Sequence, residues 1–250
     1  MNFYNEHDEE IKYSYLEKIF HEMLPPEEVH EHIYKHSLLF NREDGCVVKL
    51  SFLDFEMDVY VYIYKENRTI LSLIYRSADY IQILNEKNKI FEMISTRSEH
   101  DAASNTILSL SSSPIVQFND DLENDKRIMD ITPTELMLLF DDFEEVRQDK
   151  SSNKSYRFLC KRFSETAELN LLPGTGKLSL IIKSEENCLV SINLMNCDRV
   201  VADLKKKKLY FTSGFEERQE LSYIECCLDL GGNLHLLIQP NSKPILRGLG

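Results

Sequence analysis

A glycine-lysine pair in the second half of the chain is the pattern closest to a nucleotide site. In a phosphate-binding loop, "LLPGTGKLSL" (residues 171–180) would hold phosphates on backbone amides and magnesium on a hydroxyl. Such a loop needs glycine at position 171 and Ser or Thr at position 178, where this chain has Leu171 and Leu178. Strand-like alternation follows, so we interpret the stretch as a hairpin turn.

Histidines near residue 30 are the candidate metal ligands. His30, His32 and His36, with His21 nearby, could bind zinc if three imidazole rings converged. No cysteine follows them at zinc-finger spacing, and the intervening glutamates are typical of an acidic surface. We therefore predict no metal site and no cofactor.

Acidic pairs are the candidate groups for acid–base catalysis. Asp141, Asp142, Glu144 and Glu145 lie close together, but no histidine, serine or cysteine completes a catalytic pattern with them. We interpret these carboxylates as the solvated face of a helix. The sequence therefore predicts no catalytic residues and a protein that is not an enzyme.

The composition indicates a folded protein that favours protein partners. The 250 residues are 42% hydrophobic and 10% aromatic, which is the globular range. A net charge of −13 opposes nucleic acid and anionic membranes outside a local basic strip. The six cysteines have no disulfide spacing, no run approaches 18 apolar residues, and "MNFYNEHDEE" is unlike a signal peptide. We expect a reducing, nuclear or cytoplasmic location without membrane contact.

Four segments have the apolar spacing of helices. Residues 9–24 repeat apolar side chains at three-and-four spacing and end at a proline pair. Residues 132–146 add a threonine cap, a proline at the first helical position and a glutamate three residues after the cap. Residues 77–93 and 218–228 also read as helices, although residues 89–95 could equally form a strand.

Runs of β-branched and aromatic residues between these segments predict antiparallel strands. The predicted fold is α+β, with two similar halves of antiparallel sheet and short helices. The charged stretch "NDDLENDKR" is the best linker. We therefore place one domain at residues 1–119, a connector at 120–130 and a second domain at 131–250. Each half would contain two of the helices.

The last part of the chain has a distinctive order of elements. The stretches "KLYFTS", "RQELSYIECCL", "NLHLLIQ", "PNSKP" and "ILRGL" read as a strand, a short apolar helix, a strand, a turn with proline and a closing strand. This order resembles the end of a sliding-clamp subunit, of the proliferating cell nuclear antigen type and the related checkpoint clamp. Residues 34–75 are similar to the early hairpins of the family.

The resemblance implies a non-enzymatic, checkpoint-type DNA clamp subunit of a hetero-trimeric ring. Strands would pair edge to edge with the other clamp subunits, and helices would line a hole around double-stranded DNA. The ring would work in DNA damage checkpoint or DNA repair in the nucleus, with a clamp loader and repair proteins as partners. The helix-borne basic residues implied to face DNA are Lys12, Lys18, Lys87, Lys89, Arg147 and Arg218.

Two other interpretations stay open. Residues 9–148 also resemble a secretion-chaperone-like α/β module, which would bind unfolded segments on an apolar surface and dimerise. The C-terminal part could instead be an adaptor with a β-sandwich that binds lipids or peptides. The basic run "LKKKK", residues 204–208, could contact phosphates, but we favour a solvated hairpin tip.

Overall fold

Along most strands of this chain, every second side chain is buried. Along Glu165–Leu172 every second side chain is buried, and Lys177–Ser184 repeats the pattern, as expected for strands with one face on a core. The structure is a computed structural model with 65% strand and 7% helix. It describes residues 2–53, 58–76, 78, 80–97, 102–120, 129, 131–147, 154–217 and 220–240.

The first half contains a 3-10 helix at Tyr13–Lys18, which Leu16 anchors in the core. All other regular elements described in this half are strands. They are β1 (Asn2–Tyr4), β2 (Glu10–Ile11), β3 (Glu22–His30), β4 (Ile33–Asn41), β5 (Cys46–Leu53), β6 (Val59–Lys65), β7 (Arg68–Tyr75), β8 (Tyr80–Asn85), β9 (Ile90–Arg97), β10 (Ala102–Ser109) and β11 (Val116–Asp120).

The second half begins with a short α-helix, α1, at Pro133–Met137, and contains a 3-10 turn at Pro173–Thr175. Its other described elements are again strands. They are β12 (Asp142–Arg147), β13 (Lys154–Arg162), β14 (Glu165–Leu172), β15 (Lys177–Ser184), β16 (Asn187–Leu194), β17 (Cys197–Asp203), β18 (Lys208–Glu217), β19 (Glu220–Asp229) and β20 (His235–Pro240).

The strands form two sheets, and each sheet takes strands from both halves of the chain. The nine-stranded sheet has the order β17-β18-β19-β20-β7-β6-β5-β4-β3. The eleven-stranded sheet has the order β12-β13-β14-β15-β16-β11-β10-β9-β8-β1-β2. Strands β7 and β20 pair in parallel, as do β11 and β16. The two halves therefore meet at a parallel pair in the interior of each sheet.

The order of elements repeats within the chain. Each half has a short helical segment, then five strands in one sheet, then four strands in the other. Leu16 and Phe20 recur 120 positions later as Leu136 and Phe140, and all four side chains are buried. In both places the phenylalanine N–H donates to the leucine carbonyl, at 3.0 and 3.3 Å. The repeat thus extends from residue types to local geometry.

Two arginines join the sheets at one end of the sandwich. Arg42, after β4, donates to the carbonyl of Leu110 at 2.6 Å, and Arg162, the last residue of β13, donates to the carbonyl of Leu230 at 3.0 Å. Each arginine belongs to one sheet, and each acceptor follows a strand of the other. We call this end the turn end. Its connections are residues 42–45, 66–67, 86–89, 110–115, 163–164, 185–186, 204–207 and 230–234.

The first helices predicted in the two halves are much shorter in the structure. Residues 9–24 are helical only at Tyr13–Lys18, as a 3-10 helix, and residues 132–146 only at Pro133–Met137. A helix of one or two turns has little stability of its own. In both places the chain passes instead into an outer strand, β3 or β12, which pairs antiparallel with its neighbour, in β3 with two interruptions of the register.

The helices predicted at 77–93 and 218–228 are wrong. Strands β8 and β9 occupy the first segment, and β19 occupies the second. Ile81 and Ile83 are both buried, which is the spacing of a strand that packs one face on a core. Cys226 is likewise buried beside a half-buried Cys227, because neighbouring residues of a strand point to opposite faces.

The predicted strands of the two meanders are confirmed as β4 to β7 and β13 to β18. The sheet-rich part of the predicted fold is therefore correct. The connector 120–130 lies almost entirely outside the described residues, as does the closing strand "ILRGL", so the domain boundaries stay a prediction. None of the helices in the described residues has the length and apolar character needed to span a membrane.

Candidate binding face on the nine-stranded sheet

Three tyrosines form a ladder on the outer face of β6. Val61 and Ile63 are fully buried on the core side, so Tyr60, Tyr62 and Tyr64 point to the other face. Ring centroids are 6.4 Å apart for the first pair and 6.0 Å apart for the second, with interplanar angles of 5° and 27°. The rings therefore lie side by side and form one aromatic surface.

The same face of the sheet continues from Tyr62 to Tyr210 through strand register. Tyr62 lies opposite Ser72, Ser72 opposite Leu237, Leu237 opposite Cys227, and Cys227 opposite Tyr210. Apart from Ser72, these side chains are half-buried, and no further layer of the described chain packs over them. We call this surface the tyrosine face. Its members are Lys49, Tyr60, Tyr62, Tyr64, Ser72, Tyr210, Cys227 and Leu237.

The phenol groups of this face stay protonated at neutral pH. Burial raises the pKa of Tyr60, Tyr62, Tyr64 and Tyr210 above the ordinary value of a tyrosine. The Tyr60 hydroxyl donates to the Asp58 carboxylate at 3.3 Å. The face therefore offers neutral rings with hydroxyl groups that can donate hydrogen bonds.

Charged groups flank the aromatic ladder. Lys35 Nζ lies 5.0 Å from the Tyr60 ring centroid, and Lys49 lies opposite Tyr62 in register. Farther across the sheet, Lys208 Nζ and the Asp229 carboxylate are 3.3 Å apart. A cation over an exposed ring contributes about 0.5–1 kcal/mol, so the contact of Lys35 with Tyr60 is a modest interaction.

A cleft of about 500 Å³ opens beside the ladder, toward the turn end. Tyr62 and Tyr64 line it together with Ser72, Asp229 and His235. Burial lowers the pKa of His235 below its ordinary value, so its imidazole is neutral at pH 7. A second hollow of about 270 Å³ lies over β18, β19 and β20.

Ser72, His235 and Asp229 are the residue types of a nucleophilic triad, but their arrangement does not activate the serine. Ser72 Oγ is 3.0 Å from His235 Nε2. The Asp229 carboxylate, however, accepts from the N–H of Gly231 at 2.9 Å and pairs with Lys208. Strand β7, which carries Ser72, pairs with β6 and β20 on its two sides. Its amides are thus part of the sheet and cannot converge on an oxyanion.

Three of the six residues predicted to face DNA lie near one corner of the turn end. They are Lys18, the last residue of the 3-10 helix, and Lys87 and Lys89 in the β8–β9 turn. The Tyr15 hydroxyl of the helix donates to the Glu86 carboxylate of the turn at 2.8 Å. The structure therefore brings these lysines together without a long helix.

Lys12 lies toward the opposite end, because the ring of the next residue, Tyr13, packs on His36 and Phe52. Arg147 and Arg218 are not brought to that corner either. Arg147 ends β12 at the opposite margin of the eleven-stranded sheet, and Arg218 lies outside the described residues. The expectation that helices carry Lys87, Lys89 and Arg147 is wrong, because these residues lie in a turn and a strand. Contact with DNA itself stays a prediction.

The basic run "LKKKK" forms the turn between β17 and β18, which confirms the interpretation as a hairpin tip. This turn is the repeat counterpart of the β8–β9 turn. The Lys89 carbonyl accepts from the N–H of Leu110, and the Lys207 carbonyl accepts from the N–H of Leu230. The two lysine-bearing turns therefore lie at the same end of the molecule, with Lys87 and residues 205–207 exposed.

The glycine-lysine stretch and the histidines, which were the candidates for phosphate and metal binding, lie in a hairpin and in packed parts of the fold. The stretch 171–180 is strand, turn and strand, with Gly176 at φ +66°, so the hairpin interpretation is confirmed. His21 stacks on Phe40 with centroids 4.2 Å apart, and His36 is buried in β4. In the part of the chain that is described, no group of three His, Cys, Asp or Glu could hold a metal.

The acidic pairs lie on an outer strand and not on the predicted helix. Asp141 precedes β12 and accepts from the Arg162 guanidinium at 2.9 Å, and Asp142, Glu144 and Glu145 belong to β12. The backbone N–H of Lys161 and this guanidinium stabilise the charged carboxylate, so the pKa of Asp141 lies below its ordinary value although burial opposes the shift. Asp141 therefore has a structural partner.

Sequence reasoning did not identify the tyrosine face. The signal was the strict alternation in "VYVYIY", residues 59–64, which predicted a strand but also places three tyrosines on one face. Their partners on β18 to β20 come from the other half of the chain and could not be assigned without the sheet order.

No protein-family model, curated protein or solved structure matches this chain.

Proposed function

We propose that this chain is a non-enzymatic scaffold that binds other proteins through the tyrosine face. The row that runs from Tyr62 through Ser72, Leu237 and Cys227 to Tyr210 carries the proposal, because it crosses β6, β7, β20, β19 and β18. Single half-exposed apolar residues are normal, whereas a contiguous surface of them marks interaction sites. Tyrosine is enriched at protein interfaces because its ring adds contact area and its hydroxyl a hydrogen bond.

The electrostatics of the face suit a protein partner. Lys208 is neutralised by Asp229, and Arg68 at the margin of the cleft is neutralised by the buried Glu165. The net charge of −13 repels polyanions at long range, and the described part of the face has no continuous basic strip to offset it. A partner that covers the apolar row needs no such strip.

A hetero-trimeric DNA clamp ring in the nucleus is the narrower form of this proposal. The internal repeat supports it, as do the outermost strands β2, β3, β12 and β17, through which sheets can pair. A clamp ring also needs long helices to line its hole, and the described residues do not supply them, because their α-helix spans only Pro133–Met137. This narrower form would add three partners to the proposed protein-binding function: the double-stranded DNA that the ring encircles, a clamp loader and repair proteins.

The test is to isolate the tagged chain with its bound proteins from its native cells and to map contacts by lysine crosslinking. We expect a partner to crosslink to Lys35 and Lys49, and Tyr62→Glu to abolish its recovery. Tyr34→Glu is the matched control, because Tyr34 is 38% exposed and lies on the other face of the same sheet. Equal recovery with both variants would contradict the proposal. Light scattering then separates a three-subunit particle from other assemblies.

Contact with double-stranded DNA at the turn end is a second candidate function. The observation in its favour is that the repeat places Lys87, Lys89 and residues 205–207 at the same end. The test is fluorescence anisotropy with a short labelled duplex at low and physiological salt. We expect weak, salt-sensitive binding that Lys205→Glu with Lys207→Glu removes. Binding that Lys35→Glu reduces equally would exclude the turn end as the contact.

A further inference from the structure

The cleft of about 500 Å³ beside the tyrosine ladder lies where the two halves of the chain meet. It crosses the parallel pair of β7 and β20, with Ser72 on one strand and His235 on the other. Tyr62 and Tyr64 line the side formed by β6, and the turn after β6 and the loop before β20 bound the cleft toward the turn end. Every residue of this lining belongs to the described part of the chain.

The charged side chains of the cleft are already paired within the protein. Arg68 donates to the fully buried carboxylate of Glu165 at 2.9 and 3.1 Å, and it also donates to Glu66. Asp229 pairs with Lys208 at 3.3 Å. An anionic ligand that took Arg68 would leave the Glu165 charge buried without its cation, which is costly. The lining therefore does not favour an ionic ligand.

Neutral polar side chains are the groups that the cleft offers to a ligand. Five of them make no side-chain hydrogen bond to any described residue, and these are Tyr62, Tyr64, Asn67, Thr69 and Asn233. His235 adds its Nδ1 atom, because the ring contacts Ser72 through Nε2, at 3.0 Å. Hydroxyl and amide groups can both donate and accept. One ligand can therefore find hydrogen bonds of both directions around this cleft.

The rings of Tyr62 and Tyr64 add an aromatic surface to these polar groups. Their centroids are 6.0 Å apart, and both side chains are half-buried. A sugar ring has hydroxyl groups around its edge and C–H groups on its faces, so it needs polar partners arranged around an aromatic surface. A nucleobase has polar groups on only part of its edge and would use fewer of them. Ligand sites have volumes of about 300–1,000 Å³, so the cleft has room for a sugar unit.

The internal repeat shows that this lining is particular to one sheet. Strands β15, β16 and β11 of the eleven-stranded sheet correspond to β6, β7 and β20, and β16 and β11 again form a parallel pair. By register from these pairs, the positions of Tyr62, Tyr64 and His235 are occupied by Ile181, Lys183 and Ile115. The repeated fold therefore does not require the tyrosines or the histidine, as expected for residues that serve a ligand.

We propose that this cleft binds a neutral carbohydrate, with the sugar ring against the tyrosine side and its hydroxyl groups bonded to the neutral polar side chains. The rings supply contact area, and the amide and hydroxyl groups select the arrangement of the sugar hydroxyls. The site shares Tyr62 and Tyr64 with the tyrosine face. It does not depend on the function proposed above, because its ligand is a sugar and not the surface of a protein.

The probes are four neutral trisaccharides, namely maltotriose, cellotriose, N-acetylchitotriose and mannotriose. Each is titrated into the full-length protein while saturation-transfer NMR detects the sugar protons that contact it. We expect a saturable signal from at least one sugar, strongest for the C–H protons of one ring face. Asn233→Ala should weaken binding of that sugar about fivefold, which is the effect of one neutral hydrogen bond. Asn88→Ala is the matched control and should not, because Asn88 is an exposed asparagine in the β8–β9 turn of the other sheet.

Two outcomes would overturn the proposal. The first is that none of the four sugars gives a saturable signal. The second is a signal that Asn233→Ala changes no more than Asn88→Ala, because the sugar would then lie outside the cleft. Asn233 is not part of the row from Tyr62 to Tyr210, so Asn233→Ala should leave recovery of a protein partner unchanged. The carbohydrate site and the proposed function therefore fail separately.

Discussion

Arg42 donates a hydrogen bond to the carbonyl of Leu110, 68 residues further along the chain, and so ties β4 to the β10–β11 connection of the other sheet. Arg162 makes the corresponding bond to Leu230, again 68 residues away. The Arg42 side chain is 10% exposed and the Arg162 side chain 24%. The two bonds are equivalent in position, but the first is the less accessible to water.

We therefore predict that Arg42→Met destabilises the protein more than Arg162→Met. Hydrogen bonds to charged groups contribute about 1.5–3 kcal/mol each, so we expect a loss of about 3 kcal/mol for Arg42→Met and about 1 kcal/mol for Arg162→Met. Urea unfolding measures both. Lys161→Met, at an exposed residue, is the control and should change stability by less than about 0.5 kcal/mol. Equal effects of all three variants would show that the ties carry no stability.

The buried carboxylate of Glu165 gives a second prediction. Its side chain is 0% exposed and accepts two hydrogen bonds from Arg68, at 2.9 and 3.1 Å. Arg68→Met leaves this charge without its cation, and we expect a loss of about 3–5 kcal/mol. Adding Glu165→Gln should restore much of that loss, because the buried charge is then removed. A double variant no more stable than Arg68→Met would contradict the account.

The strands of the two meanders could be predicted because their pattern is local. Each alternates buried and exposed residues over its own length, as in β14 and β15. The apolar residues of β8 fit both a helix and a strand, and the burial of Ile81 and Ile83 against distant residues decided the outcome. The cap signals at Thr132 and Pro133 do begin a helix, but they cannot determine its length.

The candidate site could be predicted only in part. The three tyrosines of β6 are visible in the sequence, whereas Leu237, Cys227 and Tyr210 join them only because β20 pairs with β7. That pairing connects the two halves of the chain, and no local pattern encodes it. The same holds for the turn end, where Lys87 and the 205–207 run lie at one end because the two sheets exchange strands between halves.

A third prediction concerns pH and His235. Burial lowers its pKa in the folded protein below the ordinary 6.5, so the unfolded chain takes up the proton first as the pH falls. The stabilising contribution is therefore present above pH 6.5 and is lost as the pH drops through that value toward the folded pKa. We expect His235→Gln to reduce the difference in unfolding free energy between about pH 7.5 and about pH 5.5. An unchanged difference would exclude His235 as its source.

A fourth prediction uses Cys227 as a reporter of the tyrosine face. Cys227 is half-buried on that face, whereas Cys226 points into the core, and burial raises the pKa of Cys46 to about 11 and of Cys160 to about 12. Burial raises the pKa of Cys227 as well, so its labelling by a thiol reagent should be slow at neutral pH and accelerate toward higher pH. Mass spectrometry should still find Cys227 modified before these three buried thiols.

A protein bound on the tyrosine face should slow this modification without changing that of Cys188, which is half-buried on β16. Slowing of both cysteines together would indicate a global effect and not coverage of the face.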